Sequence, residues 1–239
     1  MRPLSKPKSL TNTASSSPIM MMIGIFWLAI IFSLSVAGQE IDSAPTASGP
    51  VGSTTTVDDK LQVTIYYEAL CYDSISFITN QLAPTWARYR EHMDLKLVPF
   101  GKAYIDDSNP SDPVYYCQHG HRECTLNILH GCILDKLPLE KAFPVISCLM
   151  KGFRTSFDEC IKPSEAAKSD IEECAAGPRG ATLFKQFSDE TATVGNPLGF
   201  VPTIEVDKVF ELFDQDKWLY RFVPMFQREY KRKFNVTLE

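Results

Sequence analysis

Seven cysteines punctuate this chain of 239 residues, and one stands apart. Cys71 is separated by a long gap from Cys117, Cys124, Cys132, Cys148, Cys160 and Cys174, which are grouped. Six cysteines can close on themselves in any of fifteen disulfide pairings, which would leave Cys71 as a free thiol. As its thiolate, such a group attacks disulfides. Its neighbours are Tyr72, Asp73 and Ser74, so a hydroxyl stands where a Cys-x-x-Cys pair would carry its second sulfur. Attack by one thiolate gives a mixed disulfide, and a second thiol must release the product. Ser74 is neither acidic nor redox-competent enough for that step, so an outside thiol or a second thiol of the substrate has to perform it. Ser74 can still donate a hydrogen bond to the Cys71 sulfur. Asp73 opposes the thiolate by its charge, although its commoner role is to stabilise the first turn of a helix. The competing readings of Cys71 are an inert buried cysteine and a bridge to a second copy of the chain.

The segment around Cys71 is built to present it. Val63, Ile65 and Tyr67 alternate with Thr64, Tyr66 and Glu68, a pattern rich in β-branched and aromatic residues that predicts a strand. Ile78, Leu82, Trp86 and Tyr89 recur at helical spacing after Cys71, with Pro84 expected to kink that helix. A cysteine at a strand-to-helix junction meets unpaired backbone N–H groups and the positive end of the helix dipole, and both favour thiolate. A second strand is predicted over Asp94–Pro99, which makes a βαβ unit with parallel strands. Turn residues from Asp106 to Pro113 predict a loop, and helix-favouring sequence with the six grouped cysteines follows. Beyond it, Gly177, Pro178 and Gly180 predict a turn, Ala181–Phe187 a short helix and Gly195–Gly199 a loop. Val201–Val206 predicts a strand with Pro202 near its start, and Asp214–Lys233 one helix ending in a basic cluster.

Composition narrows the classes. The net charge is −5, and removing the first 38 residues, whose charges are Arg2, Lys6 and Lys8, leaves 21 basic against 29 acidic residues, or −8. Such a chain has little with which to neutralise phosphates, so nucleic acid is excluded as a partner. Basic residues ahead of an apolar run from Ile19 to Ala37, followed by small residues, predict a secretory signal peptide over 1–38. An uncleaved signal anchor is the alternative, and no membrane association is expected once the signal is removed. Residues 39–60 read as a Ser/Thr/Gly/Pro linker, and residues 61–239 as the folded domain with a helical insertion at about 115–185. Cysteine-rich sequence behind a signal fits an oxidising compartment. His119, His121 and His130 lie among the cysteines without zinc-ligand spacing, so no metal is expected. Asn235-Val236-Thr237 is the one usable glycosylation sequon, because Asn109 precedes Pro110.

A specific resemblance sharpens this reading. Cys117-Gln118-His119-Gly120, Glu123-Cys124, Asn127 and Cys132 fit C-Q-H-G-x-x-E-C-x-x-N-x-x-x-x-C, which resembles the signature of the gamma-interferon-inducible lysosomal thiol reductase family. The likeness runs from about Leu61 to Val206 and includes Glu173-Cys174-Ala175, Gly177, Arg179-Gly180 and Val201-Pro202. It implies an α/β, thioredoxin-like fold: a central sheet with flanking helices and an inserted helical subdomain stapled by disulfides. It also implies reduction of protein disulfides in acidic endosomes or lysosomes, with no cofactor beyond an external small thiol. Cys71 falls on the family's attacking cysteine and Pro202 on a cis-proline facing the active site. Ser74 replaces the resolving cysteine. The expected protein is a weakened or monothiol thiol–disulfide reductase, secreted or endolysosomal, acting on disulfide-bonded proteins as a monomer or a Cys71-linked dimer. The alternative is a redox-impaired, thiol-trapping or chaperone-like binding protein of the same fold.

Overall fold

The computed structural model describes residues 60–152, 155–195 and 197–239. The expected signal peptide and all but the last residue of the expected linker lie outside the described residues.

Strand β1 (Leu61–Tyr67) is the centre of a three-stranded sheet, between β2 (Met93–Pro99) and a strand from much later in the chain, β5 (Thr203–Val206). It runs parallel to β2 (Met93–Pro99), with Val63 opposite Leu95 and Ile65 opposite Leu97. Between them lie α1 (Tyr72–Phe77), a π-helical turn (Ile78–Leu82) and α2 (Ala83–Tyr89). Pro84 has no N–H to donate and its ring would crowd the turn before it; the wider π turn in front of it accommodates both. The four residues that suggest the helix, Ile78, Leu82, Trp86 and Tyr89, are all buried.

One face of the sheet is buried along the whole of β1 and β2, and the other only toward the ends of those strands. Val63, Ile65 and Tyr67 enter the main core with Phe77, Phe143, Phe222 and Phe226. On the other side Tyr66 and Val98 pack with Leu198 and Val201 in a smaller apolar cluster. Thus the alternation in β1 separates core from solvent at its start, where Gln62 is exposed, and two packed faces at its end, where Tyr66 is buried; Glu68 just beyond it is buried as well.

Two three-residue strands, β3 (Tyr104–Asp106) and β4 (Val114–Tyr116), form an antiparallel ribbon around the expected loop. Then come α3 (His121–Lys136), α4 (Leu139–Leu149), α5 (Phe157–Cys160), α6 (Lys168–Ala176) and α7 (Pro178–Ala192). Three disulfides tie this region: Cys117–Cys124 at the start of α3, Cys132–Cys174 between α3 and α6, and Cys148–Cys160 between α4 and α5. The helices share the sheet's core, as in the edge-on contact of Trp86 with Phe143 at 5.7 Å between ring centres.

Three expectations are corrected. Pro178 and Gly180 form no turn; they open α7, which runs on to Ala192. Proline suits a first helical position, where its missing N–H would have had no partner. Gly180 allows close packing, since a Cβ there would stand 2.7 Å from the Cys174 carbonyl oxygen. The strand expected over Val201–Val206 begins two residues later, as β5 (Thr203–Val206), antiparallel to β1. The helix expected over Asp214–Lys233 is two, α8 (Gln215–Tyr220) and α9 (Phe222–Phe234), broken at Arg221. The break brings Pro224 into the first turn of α9, where no N–H is needed, rather than mid-helix, where its ring would clash with the Tyr220 carbonyl.

The outer edge of β5 is closed by a side chain. The Gln215 amide accepts the Ile204 N–H at 2.9 Å and donates to the Ile204 carbonyl at 2.7 Å, in the manner of a neighbouring strand.

Candidate active site

Cys71 is the N-cap residue of α1, at the end of the bend Glu68-Ala69-Leu70 that leaves β1. Its backbone carbonyl accepts the Ile75 N–H at 2.9 Å, which starts the helix, while its extended backbone (φ −66°, ψ 125°) turns the side chain out of the helical run. It is the one free cysteine, half-buried against the Tyr66–Val98–Leu198–Val201 cluster, and its neighbour Tyr72 is 79% exposed. The Cys71 Sγ donates to the Val201 carbonyl oxygen at 3.8 Å. The Val201–Pro202 peptide is cis, and Pro202 is buried. A partly accessible thiol therefore sits at a helix start beside a cis-proline loop.

Ser74 lies one turn into α1 and is fully buried. Its hydroxyl accepts the Glu68 N–H at 3.4 Å, so its hydrogen bond runs to the backbone before Cys71 and not to the sulfur. Asp73 is exposed in the first helical turn. Asn235 caps the C-terminal end of α9 in the left-handed conformation and is exposed.

The histidines separate. His121 is exposed at the start of α3. His130 is buried, with Nδ1 3.0 Å from the Tyr67 hydroxyl, and loss of solvent pushes its imidazolium down to about 3. Burial thus favours its neutral form. His119 meets two buried carboxylates: its Nδ1 lies 2.6 Å from Glu123 Oε2 and 3.6 Å from Glu68 Oε2. Among the described residues this is the one group of side chains close enough together to ligate a metal. Its oxygens are largely committed, however. Glu123 accepts the His119 and Leu70 N–H groups, and Glu68 Oε1 accepts the Lys102 N–H at 2.7 Å. Glu68 Oε2 has no hydrogen bond.

Burial raises the Glu68 carboxyl to about 7; the Lys102 N–H pulls against this, and the charge of Glu123 adds to it. The chain must pass close by, and Gly101 allows it: its φ is +63°, and a Cβ there would stand 2.3 Å from Glu68 Cγ.

A family model described as gamma interferon inducible lysosomal thiol reductase (GILT) matches residues 62–176. GILT-like protein 2 of Drosophila melanogaster is 32% identical over 75% of this chain and 85% of its own length. The gamma-interferon-inducible lysosomal thiol reductase of Mus musculus is 32% identical over 81% of this chain and 84% of its own. The chain belongs to the GILT family. Its fold is similar to that of BdbD from Bacillus subtilis in the oxidised state, with a TM-score of 0.53 at 12% identity, covering 74% of this chain and 90% of that one. The architecture is thioredoxin-like, as the sequence resemblance implied.

The GILT signature acquires a physical meaning here. Gly120 adopts φ +82°, a conformation that favours glycine, and turns the chain from His119 into α3. Glu123, in the first turn of α3, reaches back to the His119 N–H at 3.1 Å and across to Leu70 at 3.2 Å. One turn on, Asn127 Oδ1 accepts the Ala69 N–H at 2.9 Å. Sequence reasoning identified these residues as a motif but not as the support of the Cys71 bend. The available signal was a glutamate placed directly after an apolar strand, at Glu68.

Proposed function

We propose that this GILT-family protein is a thiol–disulfide reductase that works through one sulfur. The Cys71 thiolate attacks a substrate disulfide R–S–S–R′, forming a Cys71–S–S–R bond and releasing R′S⁻. A small external thiol then attacks the mixed disulfide, restores the Cys71 thiolate and leaves with R. A second equivalent frees R as a thiol and ends as the oxidised small-molecule disulfide. Two electrons thus pass from two external thiols to one substrate disulfide.

The observation that carries this reading is the state of the cysteines: six pair among themselves, and Cys71 alone is free, half-buried beside the cis-proline loop. Ser74 supports the monothiol form, since its hydroxyl is turned to the Glu68 amide and offers no second sulfur. The substrate class proposed is proteins with accessible disulfides, and the compartment an acidic endolysosomal or extracellular one; the mouse relative is named as lysosomal. Secretion through a cleaved signal, a glycan at Asn235 and a monomeric state belong to the same proposal.

The test is reduction of a disulfide-bonded protein with cysteine or glutathione supplied. The rate is expected to rise with added thiol and to vanish in Cys71→Ala; equal rates in that variant would refute the enzyme. A second reading, capture without turnover, is favoured by the absence of a thiol at position 74. It predicts Cys71 adducts that persist on non-reducing gels even with small thiol present.

A further inference from the structure

The bend that delivers Cys71 is held from outside its own segment. Glu68, Ala69 and Leu70 lie between β1 and α1, so neither the sheet ladder nor the helix supplies acceptors for their amides. Three side chains do: Ser74 Oγ takes Glu68, Asn127 Oδ1 takes Ala69 and Glu123 Oε2 takes Leu70, at 3.4, 2.9 and 3.2 Å. Glu123 and Asn127 lie four residues apart, on one face of α3, and both are fully buried. That helix is itself anchored by Cys117–Cys124 at its start and Cys132–Cys174 further along.

We propose that Glu123 and Asn127 are positioning residues for thiol–disulfide exchange, fixing the backbone one and two residues before Cys71 so that its sulfur stands beside the Val201 carbonyl. The inference rests on the one-sulfur reductase reading. In exchange the attacking sulfur must line up with both sulfurs of the substrate, so a small displacement of Cys71 lowers the rate of attack, and moving the sulfur relative to the start of α1 and the Val201 carbonyl changes its reactivity toward small electrophiles as well. The disulfide-stapled helix is then the mount of the nucleophile as well as a stabilising element. Glu68 closes the arrangement from the other side, its carboxylate holding the Lys102 amide of the chain that passes over the bend.

The test uses the full protein and Asn127→Ala and Glu123→Gln variants, with the three bridges verified by mass spectrometry. In the unaltered protein, hydrogen exchange at Ala69 and Leu70 is expected to be slow although both lie outside strand and helix. Exchange there at the rate of an open loop overturns the proposal without need of any variant. In the variants, protection at these two amides is expected to fall while that of β1 stays. The maximal rate of protein-disulfide reduction is expected to drop about tenfold or more with KM little changed. Iodoacetamide alkylation of Cys71, followed from acid to alkaline pH, reads the sulfur directly and needs no turnover. A changed alkylation profile in the variants supports the mount even if the wild type reduces nothing, in which case the reductase reading fails alone. Wild-type alkylation and wild-type turnover in correctly bridged variants would refute it.

Discussion

Glu68→Gln isolates the ionisation of one buried carboxyl. Glu68 is fully buried and titrates at about 7 instead of its ordinary 4.5, because burial disfavours its charged form. Between those values the folded protein holds a proton that the unfolded chain gives up, so this group's contribution to stability is complete below pH 4.5. It is lost as pH rises through about 7. At about 1.4 kcal/mol per pH unit, the loss comes to about 3 kcal/mol by pH 7.5, as an order of magnitude. The groups that face it are Glu123, His119 and the Lys102 amide. His130 obscures the effect in the wild type. Its titration is depressed from 6.5 to about 3, so its contribution is present above pH 6.5 and lost as pH falls, the opposite slope over much of the same range. The quantity to measure is therefore the difference between variant and wild type, by urea denaturation at pH 4.5, 5.5, 6.5 and 7.5. Glutamine keeps the shape and the acceptor for the Lys102 N–H, and any fixed cost of the amide shifts the whole curve without tilting it. The difference is expected to move in favour of Glu68→Gln by about 3 kcal/mol from pH 4.5 to 7.5. Parallel profiles would refute the claim that Glu68 is buried against its own charge.

Ser74→Cys places a second thiol one helical turn from the first. Oxidation is expected to bridge Cys71 to the introduced sulfur, seen in a non-reduced peptide map, and turnover is expected to depend less on added small thiol. Gln215→Leu removes both partners of the Ile204 backbone and is expected to cost about 2–3 kcal/mol in chemical denaturation. Gly180→Ala, which in an open helix would stabilise, is expected to destabilise by about 1–3 kcal/mol, because the new methyl meets the Cys174 carbonyl and Ile128 Cγ2. A raised melting temperature would show that α6 and α7 can move apart.

Much of the fold was legible where local signals agree. The β1 alternation, the i, i+3, i+4 run through Trp86 and the strand at Leu95–Leu97 together give the parallel pair and its crossover. The errors have local causes. Pro178 reads as the end of a structure when it begins one, and Pro224, which breaks the last helix, is hidden inside an apolar periodicity. Strands of three residues such as β3 and β4 are too short to show a period. At the site, Cys71 and Pro202 were legible from position and resemblance. The roles of Glu68, Glu123 and Asn127 were not, because the bonds they make join residues more than thirty positions apart, and only the folded chain brings those amides and carboxylates together.

The closure of β5 by Gln215 bears on how this protein meets other chains. A sheet border with free amides and carbonyls is a template on which an unfolded polypeptide can crystallise as one more strand. Here the inner half of that template is already matched by a carboxamide belonging to the molecule itself. A protein whose proposed clients are loosened by loss of their disulfides gains from such a border: it can grip a client through one sulfur and let go, without seeding a mixed fibril along its own flank.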